Sequence, residues 1–131
     1  AMRSDAFKAA VERDDSGALR DCLAEGVRFL SPVVFRPYEG RDLVATILTE
    51  GAMNVFSDFR YLEQFEDGDR AALIFEARVG DRDVQGLDLL RFEGDKVVEL
   101  TVMVRPQSGL AALAEAMNRE FARLGIVPPR A

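Results

Sequence analysis

The residue of this chain best placed to do chemistry is Asp88, a single carboxylate in an otherwise apolar, alternating stretch. The stretch covers residues 86–105 and is divided by a turn at residues 93–95. Two alternating runs around a short glycine-containing turn predict a β-hairpin whose strands each present two faces. A charge on the buried face of such a strand is unfavourable unless it has a partner, a shifted pKa or a ligand. Asp88 is therefore the candidate site residue.

Two interpretations of Asp88 are open at the level of sequence. In the first, backbone amides, water or an arginine hold the carboxylate, and it only shapes its surroundings. In the second, the carboxyl is neutral or shares a proton, because burial raises its pKa, and it binds an oxygen atom of a ligand. Gly86, beside it on the strand, is expected to leave room for that ligand.

The chain contains no histidine and one cysteine, Cys22. This composition excludes Ser-His-Asp and Cys-His catalysis, histidine acid–base chemistry and the usual zinc sites. The acidic cluster of Glu12, Asp14 and Asp15 lacks the spacing of a calcium loop, and no glycine-rich phosphate loop or dinucleotide motif is present. We therefore predict neither a metal nor a cofactor.

The charge balance limits the partners. The formal net charge is -6 and the acidic residues are scattered, so neither nucleic acid nor an anionic membrane surface is expected to bind. No apolar run approaches the roughly 18 residues of a membrane span, and no signal-peptide pattern is present. A chain of 131 residues is expected to form one domain, and its expected location is the cytoplasm.

Helical patterns occupy the N-terminal third of the chain. Ser4 is predicted to begin a first helix, and Ser16 a second one that includes Leu23 and ends at Gly26. A short strand is predicted over residues 27–31, and a third helix follows the next loop.

Strand patterns dominate residues 58–105. Three turns that pair a glycine with an acidic residue divide this region, at Asp67-Gly68, Gly80-Asp81 and Gly94-Asp95. They predict a four-stranded antiparallel meander. Apolar residues at helical spacing then predict a last helix over residues 107–124.

Alternation divides the predicted strands between two faces. The face of Asp88 also carries Leu73, Phe75, Ala77, Val84, Gly86, Leu90, Phe92, Val98, Leu100, Val102 and Val104. The opposite face carries Ile74, Glu76, Arg78, Leu87, Leu89, Arg91, Val97, Glu99, Thr101, Met103 and Arg105.

Three segments carry a resemblance to a known family. They are EGVRFLSP at residues 25–32, YEGRD at residues 38–42 and LDLLRFEGDKVVEL at residues 87–100. With the order of the predicted elements, they resemble the nuclear transport factor 2-like superfamily, and within it SnoaL-like proteins and ketosteroid isomerase. The resemblance implies an α+β, cystatin-like fold, in which a cone-shaped, curved antiparallel sheet wraps around N-terminal helices and encloses an apolar pocket. It also implies a single SnoaL-like domain over residues 1–131, with a core at residues 4–106 and an extra C-terminal helix at residues 107–124.

The isomerase family works with a tyrosine on the first helix, a general-base aspartate before a proline, and a protonated carboxyl on the late strand. The resemblance places Asp88 at the carboxyl position, Phe7 at the tyrosine position and Ser31 at the base position. Phenylalanine cannot donate a hydrogen bond and an unassisted serine is a poor base, so double-bond isomerisation by that mechanism is not expected. Tyr38 and Tyr61 are the only phenols available as acids, and neither is at the tyrosine position.

The resemblance also implies a set of ligand-binding residues around one pocket: Phe7, Ser31, Phe75, Gly86, Asp88, Leu90, Leu100, Val102 and Val104. Two functions are compatible with this set. In the first, the domain binds a small hydrophobic, oxygenated molecule without catalysis. In the second, it is a cofactor-independent SnoaL-like enzyme (isomerase, cyclase, dehydratase or epoxide hydrolase) that uses Asp88 as acid or base. A second titratable group within hydrogen-bond reach of Asp88 would favour the enzyme, and the sequence identifies none.

Two further predictions concern surfaces outside the pocket. The face opposite Asp88 presents Leu87, Leu89, Thr101 and Met103, so a homodimer through this convex face is predicted. The apolar stripe of the last helix requires a surface to cover, either the open end of its own cone or a partner subunit. We predict that this helix forms a lid over the pocket mouth.

Overall fold

The computed structural model describes residues 2–129, which form an α+β fold with helices against one face of a curved six-stranded sheet. The helices are α1 (Asp5–Glu12), α2 (Ser16–Cys22), α3 (Arg41–Thr46), α4 (Met53–Val55) and α5 (Gln107–Leu124), with a π-helical segment, Ile47–Ala52, between α3 and α4. The strands are β1 (Leu23–Leu30), β2 (Tyr38–Glu39), β3 (Ser57–Asp67), β4 (Arg70–Val79), β5 (Arg82–Glu93) and β6 (Lys96–Arg105). The predicted α+β class is confirmed. No helix in this part of the chain is both long and apolar enough to cross a membrane.

The strands follow the order β2-β1-β6-β5-β4-β3 across the sheet. β3 to β6 form the predicted antiparallel meander, and Gly68, Gly80 and Gly94 adopt φ angles of 61°, 59° and 60° at its turns. These left-handed angles are the reason that glycine is needed there. β1 pairs with β6 in parallel, so the sheet is mixed rather than wholly antiparallel as predicted. Local periodicity could not indicate this pairing, because β1 and β6 are distant in sequence.

The second helix is shorter than predicted. α2 ends at Cys22, and Leu23 has an extended backbone and begins β1. Leu23 is fully buried and lies opposite Val97 of β6. Strand pairing and burial override the helical pattern here, so Gly26, predicted to end the helix, lies within β1.

Burial alternates along the central strands as the two predicted faces require. The exception is on β6, where a register shift next to Phe92 disturbs the alternation. Val97 lies opposite Phe92 and is fully buried, whereas Val98 is only partly buried. A β-bulge inserts one residue into a strand and reverses the alternation on one side of it. The predicted placement of Val97 on the outer face, and of Val98 beside Asp88, is therefore wrong.

Glu66 of β3 anchors the N-terminus of α1. Its carboxylate accepts hydrogen bonds from the backbone N–H of Ser4 at 2.7 Å, from the Ser4 hydroxyl at 2.6 Å and from the backbone N–H of Arg3 at 3.1 Å. A carboxylate at this end of a helix satisfies free N–H groups and complements the helix dipole. The contact fixes α1 against the sheet and so positions the side chains along this helix.

α5 packs on the concave side of the sheet. Leu113 belongs to a buried cluster with Val84 of β5, and Gly109 approaches β5 so closely that an added Cβ would lie 2.5 Å from Cγ1 of Val84. Further along the helix, the rings of Phe121 and Tyr38 meet edge to face with centroids 5.7 Å apart. α5 therefore contributes to the core and does not cover the convex face.

Candidate functional site

A cavity of about 340 Å³ lies between the concave face of the sheet and the helices. Its walls come from α1, the loop after β1, the π-helical segment, the strands of the meander and α5. Most lining side chains are apolar, and the aromatic ones are Phe7, Phe29, Tyr38, Phe56, Phe59, Tyr61, Phe75 and Phe121. The volume is in the range of sites that hold small organic molecules.

Asp88 is a buried polar group on the wall of this cavity, and the residue is only 7% exposed. Its Oδ2 accepts a hydrogen bond from the hydroxyl of Tyr61 on β3, with 2.6 Å between the oxygens. Oδ1 has no hydrogen-bond partner among residues 2–129. One carboxyl oxygen is thus held by the protein, and the other is available to a ligand.

The environment of the pair shifts both pKa values. Burial raises the pKa of Asp88 to about 7, and the hydrogen bond from Tyr61 opposes this rise. The pKa of Tyr61 is raised well above its ordinary value, mainly by burial and further by the negative charge of Asp88, the hydrogen bond to it and the charge of Glu12. Tyr61 therefore remains a hydrogen-bond donor, while Asp88 exchanges its proton near neutral pH.

Tyr61 is the second titratable group that the sequence did not identify. In the sheet, Tyr61 lies opposite Phe75, which in turn lies opposite Gly86. The phenol is therefore on the concave face and reaches Asp88 across one intervening strand. Alternation along β3 could have indicated this face, but the register shifts between Tyr61 and Glu63, and this shift hides the pattern.

Replacing Tyr61 with Phe is expected to raise the pKa of Asp88 above about 7. The hydrogen bond from the Tyr61 phenol stabilises the ionised carboxylate. Without this bond, nothing opposes the rise in the pKa of Asp88 that burial causes. A hydrogen bond to a charged group contributes about 1.5–3 kcal/mol, which corresponds to a rise of roughly one to two pH units. NMR titration of the Asp88 carboxyl carbon measures this change, with Tyr38→Phe as the control for loss of the other lining phenol. A midpoint at or below that of the wild type would contradict the hydrogen-bonded geometry.

Six of the predicted ligand-binding residues line the cavity: Phe7, Ser31, Phe75, Asp88, Leu100 and Val102. The Ser31 hydroxyl oxygen accepts hydrogen bonds from the backbone N–H groups of Val33 and Val34, both at 3.2 Å. Ser31 therefore holds the turn after β1 in shape. Phe7, which the resemblance aligns with the isomerase tyrosine, is 3% exposed and supplies an apolar wall of the cavity.

The other three predicted residues are placed elsewhere. The space beside Gly86 is filled by the Phe75 ring, whose Cζ would lie 2.1 Å from an added Cβ, so the prediction that Gly86 leaves room for a ligand is wrong. Leu90 is fully buried in the main core. Val104 packs against the cluster that includes Leu113 of α5. The side chains of Leu90 and Val104 pack in these hydrophobic clusters and do not line the cavity.

Among residues 2–129, no arginine lines the cavity beside Asp88. Glu76 and Arg78 are on the outer face of β4, where Glu76 pairs with Arg60 at 2.8 Å and Arg78 pairs with Asp83 at 3.0 Å. Both pairs are largely exposed to solvent. Within residues 2–129, no three Cys, Asp or Glu side chains are grouped so that they could hold a metal ion.

α5 forms one wall of the cavity of its own chain, through Leu113, Met117, Asn118 and Phe121. The end of the helix is tied to the π-helical segment, because Nη2 of Arg123 donates to the carbonyl oxygen of Glu50 at 2.8 Å. The apolar side of α5 thus covers part of the cavity of its own chain, which is one of the two surfaces predicted for this helix.

Solved structures share this fold over most of the chain. A steroid delta-isomerase from Pseudomonas aeruginosa is 40% identical and superposes with a TM-score of 0.84, covering 90% of this chain and 88% of that chain. An uncharacterized protein with a cystatin-like fold from Silicibacter pomeroyi is 34% identical, with a TM-score of 0.86 and coverage of 92% and 85%. A nuclear transport factor 2-like protein of unknown function from Cytophaga hutchinsonii shares the fold at 19% identity, with a TM-score of 0.65 and coverage of 81% and 89%.

No curated protein matches the chain significantly. The predicted resemblance to nuclear transport factor 2-like and ketosteroid isomerase-like proteins is confirmed by the solved structures. A model of the SnoaL-like domain matches residues 5–100. Because this match covers most of the chain, the chain belongs to the SnoaL-like domain family.

Proposed function

We propose that the chain binds a small apolar molecule that carries an oxygen atom, and that this oxygen meets the carboxyl group of Asp88. The observation that carries the proposal is the buried Asp88–Tyr61 pair in a largely apolar cavity. Aromatic walls favour a flat or cyclic apolar body, because ring contacts add to the burial of apolar area.

The carboxyl group defines which ligand atom is recognised. Below a pH of about 7 Asp88 is mainly protonated, and its free oxygen can then donate a hydrogen bond to a ketone or enone oxygen. Above this pH the ionised carboxylate only accepts. Binding of a ketone is therefore expected to weaken as the pH rises through about 7.

A titration with 2-acetylnaphthalene, a neutral ketone, tests this proposal. Calorimetry is expected to show binding to the wild type, and about tenfold weaker binding to the double variant Asp88→Leu/Tyr61→Phe, which lacks both donors. The matched variant Asp88→Asn keeps a neutral donor, so it is expected to bind the ketone with little dependence on pH. Equal affinity of the wild type and the double variant would show that the pair is not the binding site.

The pKa of Asp88 favours a second candidate function, acid–base catalysis by a cofactor-independent enzyme. A group that titrates near 7 can both take up and return a proton, and Tyr61 supplies a neighbouring donor. The 40% identical relative is a steroid delta-isomerase. In this chain Asp88 itself would move the proton, since Phe7 and Ser31 replace the isomerase tyrosine and base. Cyclisation and dehydration would use the same carboxyl.

Isomerisation of cyclohex-3-enone to its conjugated isomer separates the two functions. Asp88 would remove a proton from the carbon between the carbonyl group and the double bond, and return it to the far alkene carbon. If the chain is an enzyme, it is expected to accelerate the rise in ultraviolet absorbance that the conjugated product causes. Asp88→Asn is expected to lower this rate by about 100-fold. A chain that binds 2-acetylnaphthalene but leaves the isomerisation at the buffer rate is a binding protein.

The convex face is proposed as a homodimer interface. The strand register places two mainly apolar rows of side chains next to each other on this face. One row consists of Phe65, Ala72, Leu89 and Thr101, and the other of Ile74, Leu87 and Met103. Met103 is 56% exposed and Phe65 55% exposed in the single chain. Ion pairs flank the rows on either side, Arg60 with Glu76 and Arg28 with Glu99. An apolar centre with a charged rim is typical of protein interfaces.

Light scattering at micromolar concentration is expected to give a dimer mass for the wild type. Met103→Glu places an unpaired charge in the interface, so it is expected to weaken the dimer by at least about tenfold. Val127→Glu, at a position that is 88% exposed in the C-terminal tail, is the control and is expected to leave the dimer intact. A monomer mass for the wild type would contradict the prediction.

A further inference from the structure

We infer that Glu12 and Asp14 form a charge filter at the mouth of the cavity, which admits uncharged ligands and turns away carboxylates and phosphates. The inference rests on the proposed function, because it names the class of ligand that reaches Asp88. Glu12 and Asp14 are here called the mouth carboxylates.

The mouth carboxylates are held by the turn between α1 and α2. Glu12 is the last residue of α1, and both carboxylates are exposed and line the cavity. The backbone N–H of Asp14 donates to the carbonyl oxygen of Val11 at 3.1 Å, and that of Asp15 donates to Ala10 at 2.9 Å. The Asp15 side chain then accepts from the backbone N–H of Ala18 at the start of α2. The turn is therefore fixed, and with it the backbone positions from which the two carboxylates extend.

The second observation concerns a polar group in the interior of the same cavity. The Asp88 carboxyl is buried at the wall of the same cavity, and its Oδ1 has no protein partner among residues 2–129. The charge of Glu12 reaches this polar centre, because it contributes to the raised pKa of Tyr61. A ligand that enters beside the end of α1 therefore meets the exposed mouth carboxylates before it meets the buried Asp88.

The charges around the cavity have one sign. Among the described residues that line it, the charged ones are Glu12, Asp14 and Asp88, and none is basic. Arg13 lies between the mouth carboxylates in sequence, and Arg36 lies two residues after the lining residue Val34. Neither arginine belongs to the lining. The C-terminal end of α1 also lies at the mouth, and the end of a helix carries a partial negative charge. An anion would meet repulsion at each of these points, and among residues 2–129 no basic side chain lines the cavity to offset it.

Repulsion by the mouth carboxylates is large enough to select ligands. Near a protein surface, two charges a few ångströms apart interact with several times the energy that they have in bulk water. An anion is therefore expected to bind at least about tenfold more weakly than a neutral molecule of the same shape. Salt reduces the interaction of exposed charges, so this discrimination is expected to shrink at high ionic strength.

Binding of 2-acetylnaphthalene and of 2-naphthoate tests the filter, because the two probes match in shape and differ in charge. The wild type is expected to prefer the ketone by at least about tenfold. Glu12→Gln/Asp14→Asn is expected to strengthen binding of the naphthoate by about 3- to 10-fold and to leave binding of the ketone unchanged. Asn tolerates the left-handed backbone at position 14, where φ is 53°. A smaller preference of the wild type for the ketone in 1 M salt would also support the filter.

The control removes two carboxylates that do not line the cavity, with Glu25→Gln/Asp95→Asn. It changes the net charge by the same amount and is expected to leave both affinities as in the wild type. If both double variants strengthen naphthoate binding equally, or if the wild type binds the two probes equally, the filter is wrong while the binding site stands. If the ketone does not bind at all, the filter and the proposed function both fail.

Discussion

Raising the pH from 4 to 8 is expected to destabilise the wild type relative to Asp88→Asn by roughly 4 kcal/mol. In the folded chain the pKa of Asp88 is about 7, whereas an unfolded aspartate titrates near 3.9. A raised pKa in the folded state means that the group contributes stability below the unfolded pKa. This contribution falls as the pH rises toward the folded pKa and is lost above it. The expected loss is a large share of the stability of a domain of this size.

Urea unfolding of the wild type and of Asp88→Asn at a series of pH values measures this difference in stability. Asp88→Asn keeps the shape of the side chain and a carbonyl oxygen that accepts from Tyr61, but it does not titrate. Asp83→Asn removes an exposed carboxyl from the same strand and controls for the loss of an acidic group in general. Parallel pH curves for the wild type and Asp88→Asn, or equal changes in Asp88→Asn and Asp83→Asn, would mean that folding does not raise the pKa of Asp88.

Local sequence patterns predict the meander better than any other part of the fold. Each glycine-acid turn has a short sequence signature, and period-two alternation then assigns the faces of the strands between the turns. The alternation places Asp88 on the buried face of β5, where it lies in the structure. The C-terminal helix was found because its apolar stripe is long and regular.

Sequence-based predictions are wrong where a distant contact decides the local structure. Leu23 continues a helical pattern, yet it is extended because it is buried opposite Val97. The faces of Val97 and Val98 are exchanged because a bulge shifts the register of β6. Neither the parallel pairing nor the bulge has a strong signature in the local sequence.

The candidate site shows the same division between local pattern and distant contact. Asp88 could be predicted because a carboxylate breaks an apolar pattern in its own strand. Tyr61 could not, because it becomes part of the site only when β3 is added beside β4 in a register that contains a shift. The charge filter depends on a turn between two helices, and its relation to the cavity appears only in the folded chain.

Replacing Gly86 with Ala is expected to destabilise the domain by about 1–3 kcal/mol. The new methyl group would lie 2.1 Å from Cζ and 2.4 Å from Cε2 of Phe75, so the ring has to leave its place. Phe75 is 1% exposed and stacks on Phe59, with ring centroids 4.7 Å apart. The packed core around the ring has no free volume, but Phe75 also lines the cavity, so the ring is expected to move toward Tyr61 or into the cavity.

Gly26→Ala is the matched control for this substitution. Gly26 is also a strand glycine, but an added Cβ at this position would meet nothing within 4 Å. Removing backbone freedom from the unfolded chain is expected to leave this variant as stable as the wild type or slightly more stable. Urea unfolding measures both variants, and NMR titration of Asp88 reports whether the displaced ring disturbs its contact with Tyr61. Equal stability of the two alanine variants would show that Phe75 does not fill the space beside Gly86, and that this space is open to a ligand after all.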